Sequence, residues 1–196
     1  MSLRYRSGVT APAPGADGPG RDGTGASAVL LRVPEAEPVV GAWRQEGDPS
    51  AAAGLPAHVT LLAPFLPADQ VDEGVVAELE WFFAGVDAFS LRFSAVGCFE
   101  RDGVVFLEPD GSGLDELSDA LARRWPEAPP YRGRHAHPHA HLTVVHTDDG
   151  ALRARASAAV EPALPLSAVV ATAALWTCDT TGAWSERAVF PLGPHE

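Results

Sequence analysis

The triplet His-x-Thr occurs twice in this chain, as His58-Val59-Thr60 and as His141-Leu142-Thr143. Apolar residues that favour β-strands flank both copies. Because side chains alternate between the two faces of a strand, the His and the Thr of each triplet point the same way, and the apolar residues beside them point into a core. Each copy therefore offers one titratable ring and one hydroxyl to a single surface.

A single triplet of this kind has a simple structural explanation, which is a histidine at the end of a strand that pairs with a local acceptor. Two copies, each followed by an apolar pair in a predicted strand, favour a catalytic function instead. Imidazole suits general acid–base catalysis because its ordinary pKa near 6.5 makes both protonation states accessible at neutral pH. The two copies therefore predict a pair of acid–base groups with two hydroxyl donors.

A histidine cluster around the second triplet offers a competing chemistry. Imidazoles that alternate on one strand face can ligate zinc or copper. Pro138 interrupts the predicted strand, however, and no Asp, Glu or Cys stands among these histidines. A metal-binding protein stays open as an alternative. The cluster comprises His135, His137, His139, His141 and His146.

Length, composition and charge predict one soluble domain that binds a small ligand. The 196 residues are 46% hydrophobic and 20% charged, and they contain no apolar run long enough to span a membrane. The absence of a secretory signal and two distant cysteines, Cys98 and Cys178, predict a cytoplasmic location. The net charge of −12 disfavours duplex nucleic acid, so we expect a small nucleotide or an RNA end as partner, and a monomer.

The order of predicted elements indicates an α+β fold. Residues 1–26 lack apolar periodicity and predict a disordered tail, and residues 27–196 predict a single bilobal domain. Each half carries a motif strand, a helix and an antiparallel hairpin, which predicts two similar antiparallel lobes with helices packed outside and a central cleft between them. The predicted strands cover residues 28–33, 58–62, 89–99, 104–107, 141–145, 166–176 and 184–190. The predicted helices cover 38–45, 69–85, 112–125 and 149–161, and the loop at 47–56 is expected to close over a ligand.

The chain resembles the two-histidine phosphoesterase superfamily, also called 2'-5' RNA ligase-like or cyclic phosphodiesterase-like. The segments that carry the resemblance are 55–65, 129–131 with 141–144, and 190–192. The resemblance implies a metal-independent and cofactor-free phosphoesterase that acts on 2',3'-cyclic phosphate or 2'-5' phosphodiester bonds. The catalytic residues that it implies are His58, Thr60, His141 and Thr143. A nucleotide-binding member of the same fold without catalysis is a further alternative.

The substrate-binding residues are less well defined by the sequence. Some relatives have an arginine shortly after the second motif, where this chain has His146, and strand alternation predicts that His146 faces away from His141. Arg132 and Arg134 of the preceding loop are therefore our candidates for balancing the phosphate charge. Tyr131 and Phe106 are candidates for stacking on a nucleobase, although packing in the core or in a loop explains these two aromatic residues equally well.

Overall fold

The computed structural model describes residues 25–111, 113–129 and 139–193. The predicted tail therefore lies outside the described residues except for Gly25 and Ala26, whose carbonyls accept hydrogen bonds from Ala68 and Cys178. The candidate substrate-binding residues Tyr131, Arg132 and Arg134, together with Ser112, His135 and His137, also lie outside the described residues.

The described residues form an α+β fold, as the sequence predicts. The strands are β1 (Ser27–Arg32), β2 (His58–Leu62), β3 (Phe89–Phe99), β4 (Val104–Pro109), β5 (Leu142–His146), β6 (Leu166–Val170), β7 (Thr172–Cys178) and β8 (Trp184–Pro191). The α-helices are α1 (Glu37–Gly47), α2 (Pro49–Ala52), α3 (Glu73–Ala84), α4 (Gly113–Arg124) and α5 (Gly150–Val160).

Two antiparallel sheets of four strands build the described part of the molecule. The first has the strand order β2-β1-β7-β8, and the second has the order β5-β4-β3-β6. The hairpin that follows the first motif along the chain thus lies in the sheet of the second motif, and the closing hairpin lies in the sheet of the first. Each sheet is therefore assembled from both halves of the sequence.

The closing hairpin can join the first sheet because the strand that sequence periodicity predicts before it is divided into two strands. Residues 166–176 were predicted to form one strand, and this prediction is wrong. Ala171 separates β6, which pairs with β3, from β7, which pairs with β1. An apolar run without turn residues carries no signal for such a change of sheet, because both pieces have the same hydrophobic pattern.

Two other differences from the sequence prediction are larger than a shift of one or two residues at an element's end. The loop at 47–56 contains the short helix α2, whose first turn is capped by Asp48 through the amide of Ser50 at 3.0 Å. The helix predicted from residue 69 begins at Glu73, because the side chain of Asp72 accepts from the amide of Val75 at 2.9 Å and fixes the start of α3. A short 3₁₀ turn occupies Ala68–Gln70 instead.

The apolar residues of both motif strands are buried, as the alternation predicts. Val59 and Leu142 are fully buried in the main core, which fills the space between the sheets and the helices. Their neighbours Thr60 and Thr143 are half-buried on the opposite faces of β2 and β5. The strands thus hold each threonine at a surface while the adjacent side chain anchors the backbone.

Candidate active site

The two His-x-Thr motifs lie on neighbouring strands from different sheets. β2 is the edge strand of the first sheet and β5 is the edge strand of the second, and these two strands are in contact. A positive charge on His141 would lower the pKa of His58, so the two rings lie within electrostatic range of each other. The chain thus brings together two motifs that are more than 80 residues apart in sequence.

Each motif histidine makes the same hydrogen bond, from Nδ1 of its ring to the carbonyl oxygen two residues earlier in the chain. Nδ1 of His58 lies 2.7 Å from the carbonyl oxygen of Pro56, and Nδ1 of His141 lies 2.8 Å from that of His139. A carbonyl oxygen only accepts, so Nδ1 carries the proton in each ring and donates it. Nε2 is left as the nitrogen with an available lone pair when the ring is neutral.

Burial keeps both imidazoles neutral at physiological pH. Desolvation, together with the nearby positive charge of Arg44, lowers the pKa of His58 to about 4. Desolvation also lowers the pKa of His141 to about 4, with smaller contributions from His139 and His146. Both Nε2 atoms are therefore proton acceptors in the unliganded protein.

A buried arginine joins the two motifs. The guanidinium of Arg44 is almost fully buried and donates to the carbonyl of Thr143 at 3.1 Å and to those of Leu55 and Pro56 at 3.1 and 3.2 Å. Its charge is balanced by the buried carboxylate of Asp48 at 2.9 Å. Arg44 therefore fixes the segment before the first motif against the backbone of the second.

Sequence reasoning missed Arg44, although the chain contains a signal for it. Arg44 follows Val40 by four residues on the buried stripe of α1, and it precedes Asp48 by four. An arginine and a carboxylate at this spacing on a buried helix face indicate an internal ion pair. Arg44 also anchors the end of the segment that is expected to close over a ligand, through the carbonyls of Leu55 and Pro56.

Phe106, which the sequence offers as a candidate substrate-binding residue, lies beside His141. Its ring stacks on Phe99 with centroids 4.3 Å apart, and both rings contact the imidazole of His141, at 5.2 and 5.3 Å between centroids. A Cβ on Gly97 would meet the Phe106 ring at 2.3 Å, so the glycine makes room for it. Phe106 itself is buried, and its ring packs against the imidazole of His141.

His146 lies on the same face of β5 as Thr143, and the prediction that it faces away from His141 is wrong. The strand pairing places Phe106 opposite Thr143, and it places Val104, two residues before Phe106, opposite His146. Residues two apart on a strand share a face. A β-bulge adds one residue to β5 between Thr143 and His146, and this residue reverses the alternation.

A cation also lies beside the first motif. Arg32 is directly opposite His58 in the pairing of β1 with β2, so the two side chains share a face. Arg32 is partly exposed and forms an ion pair with Glu186 at 3.1 Å. Arg32 and Glu186 line a cavity of about 320 Å³ whose walls also include Glu37, Pro56 and Trp176.

The histidine cluster of the second motif is only partly described. His139 pairs with Glu108 at 3.4 Å between Nε2 and the carboxylate. Within residues 25–111, 113–129 and 139–193 no three His, Cys, Asp or Glu side chains come together in a way that could hold a metal ion.

A family model decides to which family this chain belongs. The model of the 2'-5' RNA ligase superfamily matches residues 32–182, a range that contains both His-x-Thr motifs. The chain belongs to the 2'-5' RNA ligase superfamily. No curated protein sequence matches this chain significantly.

Solved structures show that other proteins share the fold of this superfamily member. A crystal structure described as a phosphoesterase superposes with a TM-score of 0.59 at 19% identity, covering 87% of this chain and 99% of the other. Escherichia coli LigT complexed with 3'-AMP gives 0.59 at 17% identity, covering 86% and 98%. The protein TT0787 of Thermus thermophilus gives 0.55 at 17% identity, covering 87% and 100%. At these identities the likeness establishes the shared fold.

The described part of this superfamily member contains no helix that is long and apolar enough to cross a membrane. The site joins two neutral imidazoles, two threonines and a buried arginine at the junction of two sheets. The two imidazoles can each accept or donate a proton, and the threonine hydroxyls can donate hydrogen bonds to a ligand that lies between the imidazoles.

Proposed function

We propose that this chain is a metal-independent phosphoesterase that opens 2',3'-cyclic phosphates or 2'-5' phosphodiester bonds of nucleotides or RNA ends. The observation that carries the proposal is the matched pair of imidazoles on neighbouring strands, each with Nδ1 bound to its own backbone and Nε2 left for chemistry. Membership of the 2'-5' RNA ligase superfamily supports this reaction class. The 3'-AMP complex of LigT supports a nucleotide-sized ligand.

Hydrolysis of a cyclic phosphate requires two proton transfers on opposite sides of phosphorus. Nε2 of one histidine takes a proton from the attacking water, and the oxygen of that water forms the new bond to phosphorus. The other histidine, as imidazolium, gives its Nε2 proton to the ribose oxygen whose bond to phosphorus breaks. Each transfer contributes about 10²- to 10⁴-fold to the rate, and the exchange of roles between His58 and His141 gives the reverse reaction.

In this proposal, one imidazole becomes protonated only when the substrate binds. Both pKa values lie near 4 in the unliganded protein, so neither ring carries a proton on Nε2 at neutral pH. A phosphate anion between the rings stabilises an imidazolium and raises the pKa of the ring that donates. Binding of the substrate is therefore coupled to uptake of one proton from solution.

Thr60 and Thr143 donate to the non-bridging phosphoryl oxygens in this proposal. Thr60 follows His58 by two residues on β2, and Thr143 follows His141 by two residues at the start of β5, so strand alternation favours a hydroxyl on the side of each histidine. Donors fixed before the reaction stabilise charge that develops in the transition state. Arg32 adds a positive charge on the face of His58, and Phe106 supports the ring of His141.

The test is turnover of a panel of nucleoside 2',3'-cyclic phosphates in the presence of EDTA. We expect activity that survives chelation and falls by at least about 10²-fold in His58→Ala and in His141→Ala. Thr60→Val is expected to lower kcat by about 10²-fold. Thr177→Val is the matched control, because Thr177 lies on the same sheet with its side chain on the other face.

Full activity in both histidine variants would refute the proposed mechanism. Activity that EDTA abolishes and His58→Ala leaves intact would instead support metal chemistry at the histidine cluster. Tight binding of nucleotides without any turnover would identify a non-catalytic nucleotide-binding protein.

A further inference from the structure

One peptide group is hydrogen-bonded both to a carboxylate and to the imidazole of His58. The carbonyl of the peptide that joins Pro56 to Ala57 accepts the Nδ1 proton of His58 at 2.7 Å. The N–H of the same peptide donates to Oε1 of Glu37 at 2.6 Å. Glu37 is the first residue of α1, and it therefore reaches the ring through a single planar amide.

The second motif repeats this arrangement with different elements. The carbonyl of the peptide that joins His139 to Ala140 accepts from Nδ1 of His141 at 2.8 Å. The N–H of that peptide donates to Oδ1 of Asp115 at 3.3 Å. Asp115 lies in the first turn of α4, so at both motifs a carboxylate from the start of a helix binds the amide of the residue before the histidine.

A carboxylate at the N–H end of a peptide strengthens the carbonyl at the other end. Hydrogen bonds in a chain polarise one another, and charged acceptors strengthen them most. The stronger carbonyl holds the Nδ1 proton and fixes the plane of the ring, as a carboxylate does when it binds an imidazole directly. Arg44 also donates to the carbonyl of Pro56 at 3.2 Å, which occupies its second lone pair.

Helix α1 keeps space for the carboxylate of Glu37. A Cβ on Gly41, one turn further along the helix, would lie 2.9 Å from Oε2 of Glu37. Glycine inside a helix is destabilising relative to alanine, and here it leaves the carboxylate free to reach the amide of Ala57.

We propose that Glu37 and Asp115 are positioning residues, each of which fixes the tautomer and the orientation of one motif histidine through one peptide group. The catalytic consequence rests on the proposed function of His58 and His141. The structural consequence does not, because the state of each ring can be measured without turnover.

The test compares Glu37→Gln and Asp115→Asn with the unchanged protein. Both variants keep an oxygen that can accept from the amide and remove only the charge. Loss of the partner that orients a metal-ligating histidine costs about 10- to 100-fold in affinity or activity. We expect kcat for a nucleoside 2',3'-cyclic phosphate to fall by about 10-fold in each variant, with KM changed by less than about 2-fold.

Two-bond ¹H–¹⁵N spectra of the imidazoles supply the decisive measurement. We expect Glu37→Gln to shift the ¹⁵N signals of His58 towards the mixed-tautomer position and to leave His141 unchanged, and Asp115→Asn to do the reverse. Glu35→Gln is the matched control, because Glu35 also accepts a backbone N–H, that of Val169 at 3.2 Å, away from both motifs.

Unchanged ring signals in both variants would overturn the proposal, even if turnover falls. Equal shifts in both rings, or the same shifts in Glu35→Gln, would also overturn it. If the unchanged protein turns over no cyclic phosphate, the proposed function fails, and the spectra still decide whether the carboxylates position the rings.

Discussion

His58 and His141 illustrate how burial and a backbone hydrogen bond act on one side chain. Desolvation disfavours the imidazolium, while the bond from Nδ1 to a carbonyl fixes which nitrogen remains basic. Each ring is thereby prepared as a base at Nε2. The same burial makes these rings bind a proton more weakly in the unliganded folded protein than in the unfolded chain.

This difference predicts a loss of stability in mild acid. The pKa of each ring is about 4 in the folded protein, below the ordinary value of 6.5. Between pH 6.5 and pH 4 the unfolded chain takes up protons at these rings and the folded protein does not. The free energy of unfolding should therefore decrease by up to about 3 kcal/mol for each ring as the pH falls through this range.

The measurement is urea unfolding from pH 8 to pH 4 for the unchanged protein and for the double variant His58→Gln, His141→Gln. Carboxylates and the other histidines contribute equally to both curves, so the difference isolates the two rings. We expect the free energy of unfolding of the unchanged protein to decrease relative to that of the double variant as the pH falls. Parallel curves over the whole range would show that the rings are not held neutral.

At the scale of single elements, β3 and β4 build the support of His141. Gly97 lets the ring of Phe106 lie flat across β3, and Phe99 stacks on it from the same hairpin. Both aromatic rings contact the imidazole of His141. A hairpin that precedes the second motif in the chain therefore shapes the second half of the site.

The variant Gly97→Ala tests this support. Its Cβ would meet Cζ of Phe106 at 2.3 Å, so the ring must move from its place against His141. We expect kcat to fall by about 10-fold and the free energy of unfolding to decrease by about 1–3 kcal/mol. Steady-state kinetics and thermal unfolding measure the two effects.

Gly150→Ala is the matched control, since a Cβ there would meet only a guanidinium atom of Arg153, at 3.8 Å. It should leave kcat unchanged. If Gly97→Ala keeps full activity, then the position of the Phe106 ring does not matter to the reaction.

At the scale of the whole molecule, the exchange of hairpins makes each sheet dependent on both halves of the chain. β1 and β2 need β7 and β8 to complete their sheet, and β3 and β4 need β5 and β6. Arg44 adds a bond from the first half to the carbonyl of Thr143 in the second. The two halves are therefore expected to fold as one cooperative unit.

Expression of residues 1–111 and 112–196 as separate fragments tests this dependence. Each fragment would expose unpaired strand edges and the apolar faces of incomplete sheets. We expect neither fragment to show a cooperative thermal transition by circular dichroism, under conditions where the full chain melts cooperatively. A fragment that melts cooperatively alone would identify an independent lobe.

The sequence by itself determined the α+β class, the two motif strands and the four motif residues offered for catalysis. Those inferences depend on alternation within single strands and on residue types, which are local properties of the chain. The burial of Val59 and Leu142 confirms the alternation. The roles of His58, Thr60, His141 and Thr143 stay a proposal.

Only the tertiary structure decided how the elements combine. The bulge in β5 brings His146 to the face of Thr143, the break at Ala171 sends β7 to the other sheet, and Arg44 bridges the motifs. Each depends on strand pairing or on contacts between residues distant in sequence. Hydrophobic periodicity reports only whether a residue faces a core, and it contains no information on which partner strand supplies that core.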